Sequence, residues 1–282
     1  MAGINYLKFF FRNQQYIKNM SKEAQEDFWS LNPCGAEGEF NKVAKQRYDM
    51  EPYLITEFNL IRKDYEKYLE IGCGQGIDAI SICKNLSSNS TYEAIDFSSV
   101  SISKAKEHLK LKKLSENFLT EPNFKVGDAL SLEYNSDEFD FIYSMGVLHH
   151  TPDPQRCINE IYRVMKNDGE ALIFLYRKGS IKVEIAKFLR LIQKFLDLVF
   201  RQNRCIYKFL NNRKSNKFGT MFLECFGVPW FENYSLAELS KMFKNFKKVK
   251  IIPCGYNFPK INKKNLTGKN KFGYFFKIHA IK

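Results

Sequence analysis

Histidine, tryptophan and proline are scarce, at four, two and eight copies in 282 residues, and nowhere do eighteen apolar residues run together. A membrane-spanning helix is therefore not expected, because crossing a bilayer takes about 20 apolar residues. The seven cysteines, at positions 34, 73, 83, 157, 205, 225 and 254, form an odd, scattered set without a C-x-x-C pair. That spacing offers no zinc ribbon, dithiol redox motif or cluster-binding triplet, and it fits reduced thiols in a cytosol. The opening "INYLKFFF" is too short, contains Lys8 and lacks a small-residue cleavage site, so it reads as the start of a helix rather than a secretory signal. Acidic residues are also in short supply, 31 against 44 Lys and Arg, for a net charge of +13. Much of that excess is local: between Arg177 and Lys217 twelve basic residues accompany only Glu184 and Asp197. The remaining composition, 44% hydrophobic and 27% charged, suits one large globular domain with additions. No internal repeat or low-complexity tract interrupts it.

From residue 68 short apolar runs alternate with longer helical ones. "YLEIG" (68–72), "TYEAID" (91–96), "NFKVGD" (123–128), "FDFIYSM" (139–145) and "EALIFLY" (170–176) have the length and composition of buried strands. Between them lie helical stretches at 77–86, 98–114 and 153–166, and the last is followed by a turn at "NDG" (167–169). Strands separated by helices pair in parallel, because only a long crossover returns the chain in the same direction. The expectation is a doubly wound, Rossmann-like α/β sheet, which "KKVKIIP" (247–253) and "YFFKIHAIK" (274–282) can complete. Residues 1–60 are expected to form an N-terminal helical lid. Residues 61–282 form the main domain, with 177–244 as a basic, amphipathic helical insertion after the fifth strand.

The first strand runs into "EIGCGQGID", where Gly72, Gly74 and Gly76 permit a tight turn and a close approach of ligand to backbone. Asp96 follows twenty residues after Gly76, at the end of the second strand, where a carboxylate can accept both hydroxyls of a ribose. It can equally cap the helix beginning at Ser98. Position 77 is Ile rather than the last glycine of G-x-G-x-x-G, which argues against a pyrophosphate cradle. Asp128 ends the third strand, where it can accept the exocyclic amine of an adenine.

Taken in order, "LEIGCGQG", "AIDFS", "VGDAL", "FDFIYSMGVLHHTPD" and "EIYRVMKNDGEALIFLY" resemble the motifs of class I S-adenosylmethionine-dependent methyltransferases. The branch with quinone-biosynthesis and secondary-metabolite enzymes is the most similar. The resemblance covers about residues 66–176 and implies a seven-stranded sheet with an antiparallel last strand. It also implies S-adenosylmethionine as methyl donor, S-adenosylhomocysteine as product, and no metal. By the same resemblance Glu70, Gly72, Gly74 and Gly76 surround the methionine moiety, Asp96 and Phe97 the ribose, and Asp128 and Ala129 the adenine. Met145 and Gly146 line the donor near its sulfonium. One departure is "KNDGE", where relatives carry a Pro-Gly-Gly turn.

His149 and His150 follow the fourth strand at the ligand-binding edge of such sheets. An imidazole near neutrality is suited to take a proton from the acceptor. His149 is the expected base or acceptor-positioning group, set against a purely structural role in the strand-to-helix turn, and His150 is expected to pack behind it. Trp29, Tyr48 and Tyr176 are candidate lid or lining residues; packing is the alternative for each. The fourth strand ends in "SMGVL" rather than the Asp/Asn-Pro-Pro-aromatic motif of amino-methylating enzymes, so nucleic acid is not the expected partner. A small-molecule acceptor, anionic or hydrophobic, is expected in a cytoplasmic protein. In residues 181–201, Ile185, Phe188, Leu189, Ile192, Leu196 and Val199 share one face, with Lys187, Arg190, Lys194 and Arg201 opposite. That segment fits a lid over the site, a helix on an anionic membrane surface, or a nucleic-acid patch. A lipid- or quinone-directed enzyme, an RNA-directed enzyme and a non-catalytic binding scaffold are the alternatives to a small-molecule enzyme.

Overall fold

Successive side chains of a strand point to opposite faces, so the near-continuous apolar runs of this sequence require cover on both sides. A computed structural model describes residues 22–32, 38–202, 204–211, 223–255 and 273–282. Three helices lead, α1 (Lys22–Leu31), α2 (Phe40–Met50) and α3 (Tyr53–Leu60). The alternation follows as β1 (Lys67–Ile71), α4 (Ile77–Cys83), β2 (Thr91–Asp96), α5 (Ser99–Lys113), β3 (Pro122–Val126), β4 (Phe139–Met145), α6 (Pro154–Val164) and β5 (Met165–Tyr176). Then come α7 (Ile181–Phe200), α8 (Cys205–Asn211), α9 (Leu236–Met242), β6 (Lys248–Cys254) and β7 (Phe275–Ile281). The opening "INYLKFFF" and Cys34 lie outside the described residues.

The sheet has seven strands in the order β3-β2-β1-β4-β5-β7-β6. β1 to β5 run parallel, and β7 is antiparallel to both β5 and β6. This is the Rossmann-like seven-stranded sheet with an antiparallel last strand that the sequence leads one to expect. Strand order reverses between β1 and β4, so the crevice beyond their carboxyl ends is the place where such sheets bind ligands. On one face Tyr68, Tyr92, Phe141, Tyr143 and Phe174 pack with Val43 of α2 and Tyr53, Leu54 and Phe58 of α3. On the other, Leu69, Ile71, Ile142 and Ile173 meet Ile158 and Ile161 of α6 and Leu239 of α9. Helices α2 and α3, which precede the sheet, are thus part of its core.

Two local expectations are corrected. The "NDG" segment is not a turn ahead of β5 but a bulge inside it: pairing jumps from Phe139 opposite Met165 to Phe141 opposite Glu170. Asp168 takes φ +58°, and the bulge is tied to the chain end by Lys282 N–H donating to Gly169 O at 3.2 Å. In α7 the apolar face does not turn inward. Val183, Ala186 and Gln193 are buried, whereas Phe188 and Phe195 are 62% and 63% exposed. Arg190, expected opposite the packed face, points in: its Nη1 and Nη2 donate to the carbonyls of Glu224 and Val228 at 2.9 and 3.0 Å. Gln193 Nε2 donates to Phe226 O at 2.9 Å. Backbone carbonyls of the 223–228 segment thus give α7's polar side a better partner than water.

Candidate active site

The glycine turn after β1 divides its work. A Cβ on Gly72 would lie 2.1 Å from Val147 Cγ2, and one on Gly76 2.6 Å from Phe124 Cζ, so both positions serve close packing. Gly74 and Gly146 differ: each has positive φ, +52° and +77°, and a Cβ at either meets nothing within 4 Å. They lie just past the ends of β1 and β4, the two strands flanking the switch point, and bare backbone facing open space is what close ligand approach requires.

Asp96 ties this turn to β2. Its Oδ2 accepts the Gly74 N–H at 2.8 Å and its Oδ1 the Ser98 N–H at 2.9 Å. Burial raises its carboxyl pKa while the two N–H donors pull the other way. Ser98, not Asp96, caps α5, its hydroxyl accepting from Ser101 N. Asp128 closes a local turn through Leu130 N–H at 2.9 Å. Phe97, Asp128, Ala129 and Met145 are all half-buried around this edge. Glu70 is withdrawn beneath the turn: it is 3% exposed, and its Oε2 accepts the Tyr92 hydroxyl at 2.9 Å. Burial, reinforced by Asp78, pushes its carboxyl up to about 8. The residues present thus suit an adenosine-bearing sulfonium donor, with an open glycine cradle, one carboxylate at the end of β2 and another after β3.

Beneath the turn lies a network of which sequence reasoning singled out only Tyr48. Arg47 grips Asp78 with Nε at 3.2 Å from Oδ1 and Nη2 at 2.6 Å from Oδ2. Tyr143 and Tyr48 donate to the same carboxylate at 2.9 and 3.2 Å, and the Tyr48 hydroxyl also reaches Ser81 Oγ at 2.8 Å. Tyr48 therefore fastens α2 to the first turn of α4. Trp29 attends a different element, its ring 5.5 Å from that of His150.

The two histidines form a short 3-10 turn, Leu148–His150, beyond β4. His150 Nδ1 donates to Trp230 O at 2.8 Å, and burial brings its pKa down to about 4. His149 is fully buried with its ring 3.8 Å from that of Tyr176, and among the described residues neither ring nitrogen has a hydrogen-bond partner. Burial holds its imidazole well below the ordinary pKa, and His150 and Lys182 act in the same direction. Tyr176 donates its hydroxyl to the buried Glu224, whose Oε2 lies 3.1 Å from Lys182 Nζ. Phe231 and Phe275 flank the Tyr176 ring at 5.3 and 5.0 Å. The Arg190 and Gln193 contacts of α7 hold the segment that bears Glu224 and leads to Trp230, so α7 braces the segment, here called the roof, that packs on the two histidines and Tyr176. Among the described residues no group of three or more His, Cys, Asp or Glu side chains is placed to hold a metal.

A family model described as a methyltransferase domain matches residues 62–222. The demethylmenaquinone methyltransferase of Lactobacillus johnsonii is 27% identical over 177 residues, 61% of this chain and 70% of that protein. Phosphoethanolamine N-methyltransferase 2 of Caenorhabditis elegans is 28% identical over 139 residues, 49% of this chain and only 30% of the nematode protein. Among solved structures, a methyltransferase of Thermotoga maritima described as a possible histamine N-methyltransferase superposes with a TM-score of 0.52 at 14% identity, covering 86% of this chain and 96% of that one. At that identity the likeness bears on the fold alone. With the family match spanning more than half of the sequence, the chain belongs to the class I S-adenosylmethionine-dependent methyltransferases.

Proposed function

We propose that this enzyme methylates a small, largely apolar acceptor seated against His149 and Tyr176. The observation that carries this reading is His149: a wholly buried imidazole whose two nitrogens have no hydrogen-bond partner among the described residues, just past the end of β4 and three residues from Gly146. Unpaired buried polar atoms cost about 1–3 kcal/mol each, so their retention calls for a partner that arrives with the substrate. S-adenosylmethionine supplies an activated methyl group on a sulfonium when bound. Gly74, Gly146, Asp96 and Asp128 are the residues that would hold it, Asp96 accepting from the ribose hydroxyls.

The chain's own part is to orient the acceptor, exclude water and receive a proton. With its pKa depressed, His149 is neutral at pH 7 and offers one N–H donor and one lone pair. A hydroxyl or amine of the acceptor bonds to that lone pair, and the proton released on methylation passes to the same nitrogen. The rings of Tyr176, Phe231 and Phe275 favour a flat or hydrophobic body for the acceptor. Relatives named for demethylmenaquinone and for sterols support that class.

Transfer of labelled methyl to a panel of quinols, phenols and amines tests the proposal. For an accepted compound, His149→Ala is expected to lower turnover by about 10²-fold or more, with the affinity for S-adenosylmethionine unchanged. Turnover equal to that of the parent enzyme would return His149 to a packing role.

A further inference from the structure

The outer side of α7 presents Ile181, Ile185, Phe188, Ile192, Phe195 and Val199, six apolar side chains at alternating spacings of four and three along twenty residues. Phe188, Phe195 and Val199 are each more than half exposed, at 62%, 63% and 56%, and Leu191 beside them is 60% exposed. This stripe is not turned onto the loop beneath. The fold instead commits Arg190 and Gln193 to that loop. Left in water, a continuous stripe of this kind is a standing cost, and large contiguous apolar patches mark interaction surfaces.

We propose that this face docks the enzyme on an anionic phospholipid bilayer, with the apolar stripe entering the boundary between headgroups and acyl chains. Charge selects this occupant. Lys187, paired with Glu184 at 3.0 Å, and Lys194 and Arg201 are exposed along α7 and at its end, in a stretch of sequence, Arg177 to Lys217, with ten more basic than acidic residues. An interfacial helix combines such a charge with a strongly apolar face, and each basic residue near an anionic leaflet adds about 1 kcal/mol. A second copy of this chain would set the same positive segment against itself, and like charges across an interface oppose association. No described helix is long and apolar enough to cross a membrane, so the mode is surface docking rather than spanning. The inner side of α7 holds the roof segment of the candidate site, so docking would bring that roof close to the lipid phase. The inference goes beyond methyl transfer and does not depend on which acceptor is used.

Flotation of the full chain with vesicles tests it, using phosphatidylcholine alone and phosphatidylcholine with about a third phosphatidylglycerol. The parent chain is expected to float with the anionic vesicles, to stay behind with the neutral ones, and to be released by high salt. The double substitution Phe188→Ser and Phe195→Ser is expected to reduce the bound fraction at least tenfold while S-adenosylmethionine binding and the far-ultraviolet spectrum stay unchanged. Both side chains are exposed, so folding is not at stake. A chain that does not float, or a variant that floats like the parent, overturns the proposal. So does light scattering that shows a dimer of the parent chain dissolved by the same substitutions.

Discussion

Glu70 shows how a single residue can match a motif and still sit in an unexpected place. Its strand position follows from the alternation of β1, but burial and the Tyr92 hydroxyl draw it under the turn rather than into the open crevice. Its folded pKa, about 8, lies above its ordinary 4.5, so the folded chain holds a proton that the unfolded chain has released. The associated stability is present below pH 4.5 and is lost as pH rises toward 8. Glu70→Gln mimics the neutral acid. Its thermal midpoint relative to the parent is therefore expected to rise between about pH 5 and pH 8, a change calorimetric melting can follow. A difference that is the same at both pH values would show that Glu70 ionises freely. The glycines and Asp96 were legible because their chemistry is local: a turn and a strand end specify them. The Arg47–Asp78 pair was not, because its partners are 31 positions apart on two helices whose packing no local pattern encodes.

At the scale of elements, "TYEAID" and "FDFIYSM" coincide with β2 and β4, whereas β5 starts at Met165, five residues before the run expected for it. The orientation of α7 was not legible. Amphipathicity shows that a helix has two faces, but not which one is buried, and here loop carbonyls capture Arg190 and Gln193. Likewise "NDG" carries a turn signal that the long β5–β7 pairing converts into a bulge. The inward arginine makes a specific prediction. Arg190→Ala removes two donors from buried carbonyls and should cost about 1–3 kcal/mol in urea unfolding, with turnover falling as the roof over His149 and Tyr176 loosens. Arg190→Lys should recover little, because an ammonium cannot span both carbonyls as the planar guanidinium does. Full recovery by lysine would mean that charge alone, not the paired geometry, anchors the roof.

For the whole molecule, the order of strands fixes where chemistry can happen. With β1 and β4 adjacent and the order reversing between them, their carboxyl ends bring Gly74 and Gly146 to one edge, the end of β2 adds Asp96, and the turn after β4 sets His149 beyond it. The topology, and with it the convergence of Gly74, Gly146 and Asp96 on one edge, was legible in the sequence because motif order and topology are coupled in doubly wound sheets. Of the proposed acceptor side, the two histidines and Tyr176 were legible. Its other members, Lys182, Glu224 and Phe275, come from α7, the 223–227 segment and β7, and meet Tyr176 of β5 only through long-range packing. The most direct measurement is titration calorimetry of the full chain with S-adenosylhomocysteine, alongside Asp96→Ala. One saturable site is expected in the parent chain, weakened about 10- to 100-fold in the variant as charge-assisted hydrogen bonds are lost. Absence of binding at millimolar ligand, or equal affinity in the two proteins, would contradict an adenosine site at the β1–β4 edge.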